Sequence, residues 1–121
     1  MKELYERLEV LQTGDAITSH AQRICHKTIQ AYVSNLDTSI YQMLITHLAM
    51  AVTRVERNEP LNYPPASIMD EIYRSPKLEE AQNRVKWIEN ECGFLIPDEE
   101  KDFLYMHFVS VLTAEEEEKE R

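Results

Sequence analysis

Helical periodicity with few interruptions is the feature that most restricts how this chain can fold. The 121 residues include only two glycines and five prolines, and the prolines are confined to a few places. Between these breaks, apolar residues recur every three or four positions, the spacing that places side chains on one face of a helix. No strand-like alternation and no internal repeat stands out. The sequence therefore predicts an all-α protein.

The N-terminal half contains three predicted helices. A short first helix ends at Thr13 and Gly14, and Asp15 is in position to cap the second helix. Residues 37–39 (Asp-Thr-Ser) offer another N-cap, and a one-sided apolar stripe follows them as far as Val55.

The C-terminal half contains three more predicted helices after a proline-rich loop over 58–65. A short helix is expected over 66–74. The next is predicted to have Ser75 as its cap, Pro76 as its first residue and Gly93 as its stop. Pro97 and the three acidic residues after it predict the start of the last helix, because the helix dipole favours acids there.

These segments predict a single domain with two extensions. Residues 1–14 are expected to form a short extra helix, residues 15–114 a compact five-helix bundle, and residues 115–121 an acidic tail. A chain of this length can bury enough surface for a core without disulfides. Cys25 and Cys92 are therefore interpreted as thiols in a reducing cytoplasm.

Charge and hydropathy argue against several classes of protein. Thirteen basic and twenty-two acidic residues give a net charge of −9, and no basic cluster is present. Direct binding of nucleic acid, which depends on such clusters, is therefore not expected. The apolar run 103–112 is too short for a membrane span, and the charged N-terminus does not fit a signal peptide. We expect a soluble, cytoplasmic protein.

Two of the four histidines lie on apolar faces. His47 is at the edge of one stripe and His107 is inside another, whereas His20 and His26 only flank a stripe. A buried ring nitrogen without a partner costs about 1–3 kcal/mol, so such a histidine has either a packing partner or a function. The pattern alone leaves both interpretations open.

Each of these two histidines has a charged residue seven positions away. Arg54 follows His47, and Glu100 precedes His107. Seven residues of helix place each pair on one face about 10.5 Å apart, too far for a direct hydrogen bond. Two helices packed through these faces would bring all four side chains together.

Enzyme motifs are missing from the sequence. There is no His-Glu-x-x-His, no Glu-x-x-His pair and no glycine-rich phosphate loop. We therefore expect a protein that is not an enzyme and that holds no metal and no cofactor.

The segment from Thr46 onward resembles the regulatory domain of transcription regulators and antiterminators that are controlled by the bacterial sugar phosphotransferase system (PTS), the PTS regulation domain or PRD. Both histidines fall in register over about sixty residues. The matching pieces are Thr46-His47-Leu48-Ala49, Arg54, Asp70-Glu71-Ile72-Tyr73, Ala81, Trp87-Ile88-Glu89, Gly93, Pro97-Asp98-Glu99-Glu100 and Phe103-Leu104-Tyr105-Met106-His107-Phe108. Lys101 and Asp102 depart from the family, which usually has apolar or small residues there.

The resemblance implies a five-helix fold, commonly dimeric, with two regulatory phosphorylation sites. By position, His47 and His107 would accept phosphoryl groups from the phosphocarrier protein HPr or from a sugar-specific IIB-type transporter component. Arg54 and Glu100 would be the accompanying polar residues. With one copy and no nucleic-acid-binding module, the chain resembles the stand-alone members, so its output would pass through an effector protein.

Two other hypotheses stay open at this point. One is a helical dimerisation or interaction protein whose histidines are packed and unmodified. The other is a metal-dependent bundle enzyme that uses His47, His107 and acids of the last helix.

Overall fold

The computed structural model describes residues 1–33, 38–61 and 63–120. Within these ranges the secondary structure is entirely helical, which confirms the all-α prediction. Five α-helices follow a short N-terminal one. In chain order the elements are α1 (Lys2–Thr13), α2 (Ser19–Tyr32), a 3₁₀ turn (Ser39–Tyr41), α3 (Gln42–Glu56), α4 (Ala66–Tyr73), α5 (Leu78–Cys92) and α6 (Asp98–Lys119).

The chain divides into two compact units. The N-terminal unit is Met1–Pro60 and holds α1, α2, the 3₁₀ turn and α3, and the C-terminal unit is Leu61–Arg121 and holds α4, α5 and α6.

In the N-terminal unit, α2 packs against both α1 and α3, and α1 also contacts α3. Apolar residues at helical spacing supply the packing. Their fully buried members include Leu4, Leu8, Ile24, Ile29, Leu44 and Leu48. Burial of each such side chain contributes about 1.5–3 kcal/mol, so these stripes hold the three helices together.

Thr18, not Asp15, caps α2. The Thr18 hydroxyl accepts a hydrogen bond from the amide of Ala21 at 3.0 Å, and Thr18 has the extended backbone of an N-cap. Asp15 has a left-handed backbone with φ of 60° and receives hydrogen bonds from Arg57. The prediction of Asp15 as the cap was wrong because Asp15 belongs to the turn that precedes the helix.

The N-cap predicted for α3 is not found at Thr38 or Ser39 either. Asp37 lies outside the described residues. Thr38 has helical backbone angles and no side-chain capping bond, and the 3₁₀ turn then leads into α3 at Gln42. Thr38 is not a cap because its backbone is already helical, and Ser39 is the first residue of that turn.

In the C-terminal unit, α6 packs against both α4 and α5. The shared apolar packing again comes from residues at helical spacing. Its buried members include Met69, Ile72, Ala81, Val85, Ile88, Leu104, Phe108 and Val111.

Three of the predicted boundaries in the C-terminal unit can be compared with the structure. Gly93 ends α5 with φ of 79°, the left-handed conformation that glycine adopts without strain, and α6 starts directly after Pro97. Ser75 does not cap α5, because its hydroxyl accepts a hydrogen bond from the amide of Lys77 and closes a turn before the helix begins. Pro76 lies in that turn and is not the first helical residue.

The predicted acidic tail continues α6. The last buried residue of this helix is Val111, yet the helix extends to Lys119. Acidic residues near the C-terminus of a helix are disfavoured by its dipole. An ion pair between Glu116 and Lys77 links this exposed end to the rest of the C-terminal unit.

Candidate functional site

His47 lies in the middle of α3, at the border between its buried and exposed faces. Leu44 and Leu48 beside it are buried, and His47 is partly exposed. The hydroxyl of the preceding residue, Thr46, accepts a hydrogen bond of 2.7 Å from Nε of Arg7 in α1. This contact ties the turn of α3 that carries His47 to the neighbouring helix.

Arg54 lies near the end of α3 and is partly exposed. It is two turns after His47 on the same side of the helix, so the expected separation along the axis is about 10.5 Å. The guanidinium therefore supplies positive charge on the face of α3 that carries His47.

His107 lies in the middle of α6, among its buried apolar residues. Leu104, Phe108 and Val111 around it are buried, whereas His107 itself stays partly exposed. Burial lowers the pKa of His107 from its usual value of 6.5, because a charged ring is poorly solvated there. The ring is therefore neutral near pH 7.

Glu100 is in the first turn of α6, two turns before His107. Its side chain is only 1% exposed, and it is the one charged residue that is buried in the described part of the chain. Its carboxylate lies on the same face of α6 as His107, at the spacing expected from the sequence.

The four predicted residues are divided between the two units. His47 and Arg54 share α3, and Glu100 and His107 share α6. Each histidine therefore shares a helix with its charged residue. The hypothesis that all four side chains form one site stays a prediction.

The other two histidines have packing partners in the N-terminal unit. Nδ1 of His20 lies 3.5 Å from a carboxylate oxygen of Glu56, which also accepts a 2.6 Å hydrogen bond from Thr18. The ring of His26 contacts the ring of Tyr5 edge to face, with centroids 4.9 Å apart. These contacts agree with the interpretation of both histidines as partly covered packing residues.

The sequence reasoning missed a polar cleft in the C-terminal unit. The cleft has a volume of about 460 Å³ and is lined by Tyr63, Tyr73, Gln82, Asp98, Lys101, Asp102 and Tyr105. The last four lie on one face of α6 at spacings of three and four, which is the signal in the sequence that could have indicated it. Tyr63 precedes α4 and Tyr73 ends it, so no local pattern connects them to α6.

Carboxylates accept hydrogen bonds from two tyrosines at this cleft. The Tyr73 hydroxyl donates to Asp102, and this bond raises the pKa of Tyr73 to about 12. The Tyr63 hydroxyl donates to Glu99, which raises the pKa of Tyr63 and lowers that of Glu99. Both hydroxyls therefore stay protonated, and Glu99 stays ionised, at neutral pH.

The described residues contain no group of three or more histidine, cysteine, aspartate or glutamate side chains placed to hold a metal ion. None of the described helices combines the length and the hydropathy that crossing a membrane requires.

Comparison with known family models identifies the family of this chain. The sequence matches the family model described as PRD domain over residues 22–111. The chain belongs to the PRD family. The match begins in α2, well before Thr46, and includes both His47 and His107. Neither a search of curated proteins nor a search of solved structures gave a match.

Membership of the PRD family implies a general function. PRD domains are regulatory modules under the control of the PTS, and the family is one of regulators, not of enzymes. The match crosses the boundary between the two units of this chain.

Proposed function

We propose that this PRD is a non-enzymatic module of transcription regulation in which His47 and His107 accept phosphoryl groups from the PTS. The observation that carries the proposal is the family match that spans both histidines, each of them partly exposed at the border of a buried helix face. The match also supports treating residues 15–114 as one functional domain.

The chemistry of transfer needs a neutral imidazole. The lone pair of a ring nitrogen attacks the phosphorus of the donor's phosphohistidine, the P–N bond of the donor breaks, and the donor imidazole leaves with the electron pair. The proton that the acceptor ring then releases neutralises the departing imidazole. Because burial lowers the pKa of His107, its ring has this lone pair at neutral pH. His47 and His107 are both partly exposed, but Nε2 of His47 is buried, so transfer to His47 would use its Nδ1 or need a local opening of α3.

The phosphorylated states of the two histidines differ in their electrostatic surroundings. A phosphoryl group adds about −1.5 to −2 charges. On His47 this charge is attracted to Arg54 on the same face of α3. On His107 it shares a face of α6 with the buried carboxylate of Glu100, which repels it. We propose that Arg54 and Glu100 convert phosphorylation into a change of helix packing.

We propose HPr or a IIB-type transporter component as the donor and an effector protein as the recipient of the signal. Both donors act in the cytoplasm, which is where we place this PRD. The net charge of −9 gives no support for direct contact with nucleic acid.

Reconstituted phosphotransfer tests the acceptor assignment. Phosphoenolpyruvate, the general carrier proteins and the PRD are incubated together, and acid-labile phosphate on the PRD is measured. We expect phosphate on the wild type, less on His47→Gln and on His107→Gln, and none on the double variant. Glutamine keeps a polar group at each position but provides no nucleophilic nitrogen.

His20→Gln is the matched control, because His20 is also a partly exposed histidine but pairs with Glu56. It is expected to incorporate phosphate at the level of the wild type. Wild-type protein without acid-labile phosphate, or a double variant that still acquires it, would contradict the proposal.

A second candidate function is a homodimerisation or interaction module that is not phosphorylated. Val10 in α1 and Met43 in α3 are apolar side chains that such a contact could cover, since each is 70% exposed. Light scattering on Val10→Ser and Met43→Ser would test it. Loss of a dimer in these variants, together with no phosphate on the wild type, would support this function over the first.

A further inference from the structure

The cleft between Tyr63, α4 and α6 has features of a ligand site. Its volume of about 460 Å³ lies within the range of pockets that hold small molecules. Tyr63 and Tyr73 are 68% and 48% exposed, so two aromatic side chains are presented to solvent at its rim. Tyr105, partly exposed, forms a third aromatic part of the lining.

The charge of the cleft is negative. Asp98 and Asp102 line it, and the negative charge of these two carboxylates contributes to raising the pKa of Tyr63, Tyr73 and Tyr105 alike. All three hydroxyls therefore lie in the same negative potential. A cleft lined by one sign of charge concentrates ions of the opposite sign.

Lys101 is the one cation in the lining, and its charge is offset within the unit. Its Nζ lies 3.4 Å from a carboxylate oxygen of Glu89, and the same oxygen accepts a 2.8 Å hydrogen bond from the amide of Ile96. Glu89 is thereby held in place beside Lys101. The two aspartates of the lining are left with a net negative charge.

The hydrogen bonds of the cleft also favour a donor as ligand. The protons of Tyr73 and Tyr63 are already directed to Asp102 and Glu99. What these groups still offer to a ligand is acceptor oxygen and aromatic surface. A ligand group that has several N–H donors and a positive charge fits both features. Aromatic rings attract cations, and carboxylates accept hydrogen bonds from the N–H groups of a cation.

We propose that this cleft binds an organic cation of the guanidinium or alkylammonium type, either as a free amine or as a basic side chain of a partner protein. Asp98 supplies the charge and Tyr63 and Tyr105 supply the aromatic surface. This site is separate in the chain from His47, and it does not depend on phosphorylation of either histidine.

Titration followed by NMR of the tyrosine ring signals tests the site on the full chain. Three probes are compared: butylguanidinium as the free cation, a glycine peptide with one central arginine as the side-chain source, and N-butylurea as the neutral analogue of the same shape. We expect saturable shifts of the tyrosine signals with the two cations, at a dissociation constant on the order of 1 mM, and none with butylurea.

Variants at exposed positions locate the binding. Asp98→Asn is expected to weaken cation binding about threefold. Tyr63→Leu is expected to weaken it about twofold to fivefold, whereas Tyr63→Phe keeps the ring and the affinity. Asp70→Asn removes one exposed acid from α4 outside the cleft and is expected to leave binding unchanged.

The titrations distinguish the source of the cation from the absence of a site. Tighter binding of the arginine peptide supports the site and identifies a partner side chain as its source, and tighter binding of butylguanidinium supports the site and identifies a free amine. Equal binding of butylurea, equal weakening by Asp70→Asn and Asp98→Asn, or no shift at millimolar cation would each overturn the proposal.

Discussion

Two polar contacts that join distant parts of the chain, one in each unit, differ in what they do. In the N-terminal unit the contact is buried and completes the backbone: the hydroxyl of Thr53, only 2% exposed, accepts a hydrogen bond of 3.1 Å from the amide of Thr18. In the C-terminal unit the contact lies at an exposed cleft, where the Tyr73 hydroxyl donates to Asp102. The first arrangement stabilises helix ends, and the second leaves acceptor groups available to a ligand.

The candidate phosphorylation sites differ in the charged residue that shares their helix face. His47 shares its helix face with a partly exposed arginine, whereas His107 shares its face with the buried carboxylate of Glu100. The charged residue seven positions from each histidine therefore differs in sign between the two helices. Residues that look equivalent in a sequence pattern therefore need separate tests, and the following predictions compare the units directly.

Removing a large core side chain should have the largest effect, and a similar one in both units. Phe108 of α6 and Leu48 of α3 are both 0% exposed. Phe108→Ala should lower the free energy of unfolding by about 3–5 kcal/mol and Leu48→Ala by about 2–5 kcal/mol, because each leaves a cavity. Urea unfolding followed by circular dichroism measures both. A loss well below 1 kcal/mol in one unit alone would show that its core can close around the cavity.

The buried threonine should matter more than the exposed tyrosine. Thr53→Val keeps the shape but leaves the Thr18 amide without its acceptor, at an expected cost of about 1–2 kcal/mol in the free energy of unfolding. Thr53→Ser keeps the acceptor and loses one methyl group, for about 0.8 kcal/mol or less. If urea unfolding showed a smaller loss of unfolding free energy for Thr53→Val than for Thr53→Ser, the hydrogen bond would not be the contribution of Thr53 to stability.

Tyr73→Phe should cost less, because the bond to Asp102 is near the surface. The expected loss is about 0.5–1 kcal/mol in the free energy of unfolding at pH 7. Asp102→Asn should lower the pKa of Tyr73 from about 12 towards 10, which tyrosinate absorbance measures. An unchanged tyrosine titration in Asp102→Asn would contradict the assigned hydrogen bond.

The smallest effect is the pH dependence that His107 contributes. Its folded pKa lies below the usual 6.5, so the unfolded chain binds the proton more readily. Stability should therefore fall as the pH drops below about 6.5, and this fall should end below the folded pKa. His107→Gln should flatten that part of the curve of unfolding free energy against pH. A curve that is as steep in His107→Gln as in the wild type would assign the dependence to other groups.

Most of the helices could be predicted from the sequence because their signals are local. Apolar spacing along each segment indicates a helix whatever it packs against, and Gly93 and Pro97 act through their own backbone preferences. The prediction of Asp15 as an N-cap was wrong because a longer-range contact outweighs its local preference. Asp15 is a good cap by type, but Arg57, 42 residues away, binds it in a turn.

The sequence by itself determined the helical class, the helix faces that carry His47 and His107, and the family motif around them, since each depends on spacing within one segment. Tertiary structure decided which polar groups became buried or grouped. Thr53 satisfies the Thr18 amide, and Tyr73 meets Asp102, across 35 and 29 residues of chain. Periodicity describes a single helix, whereas these contacts depend on how helices pack, and that is why the cleft emerged only from the structure.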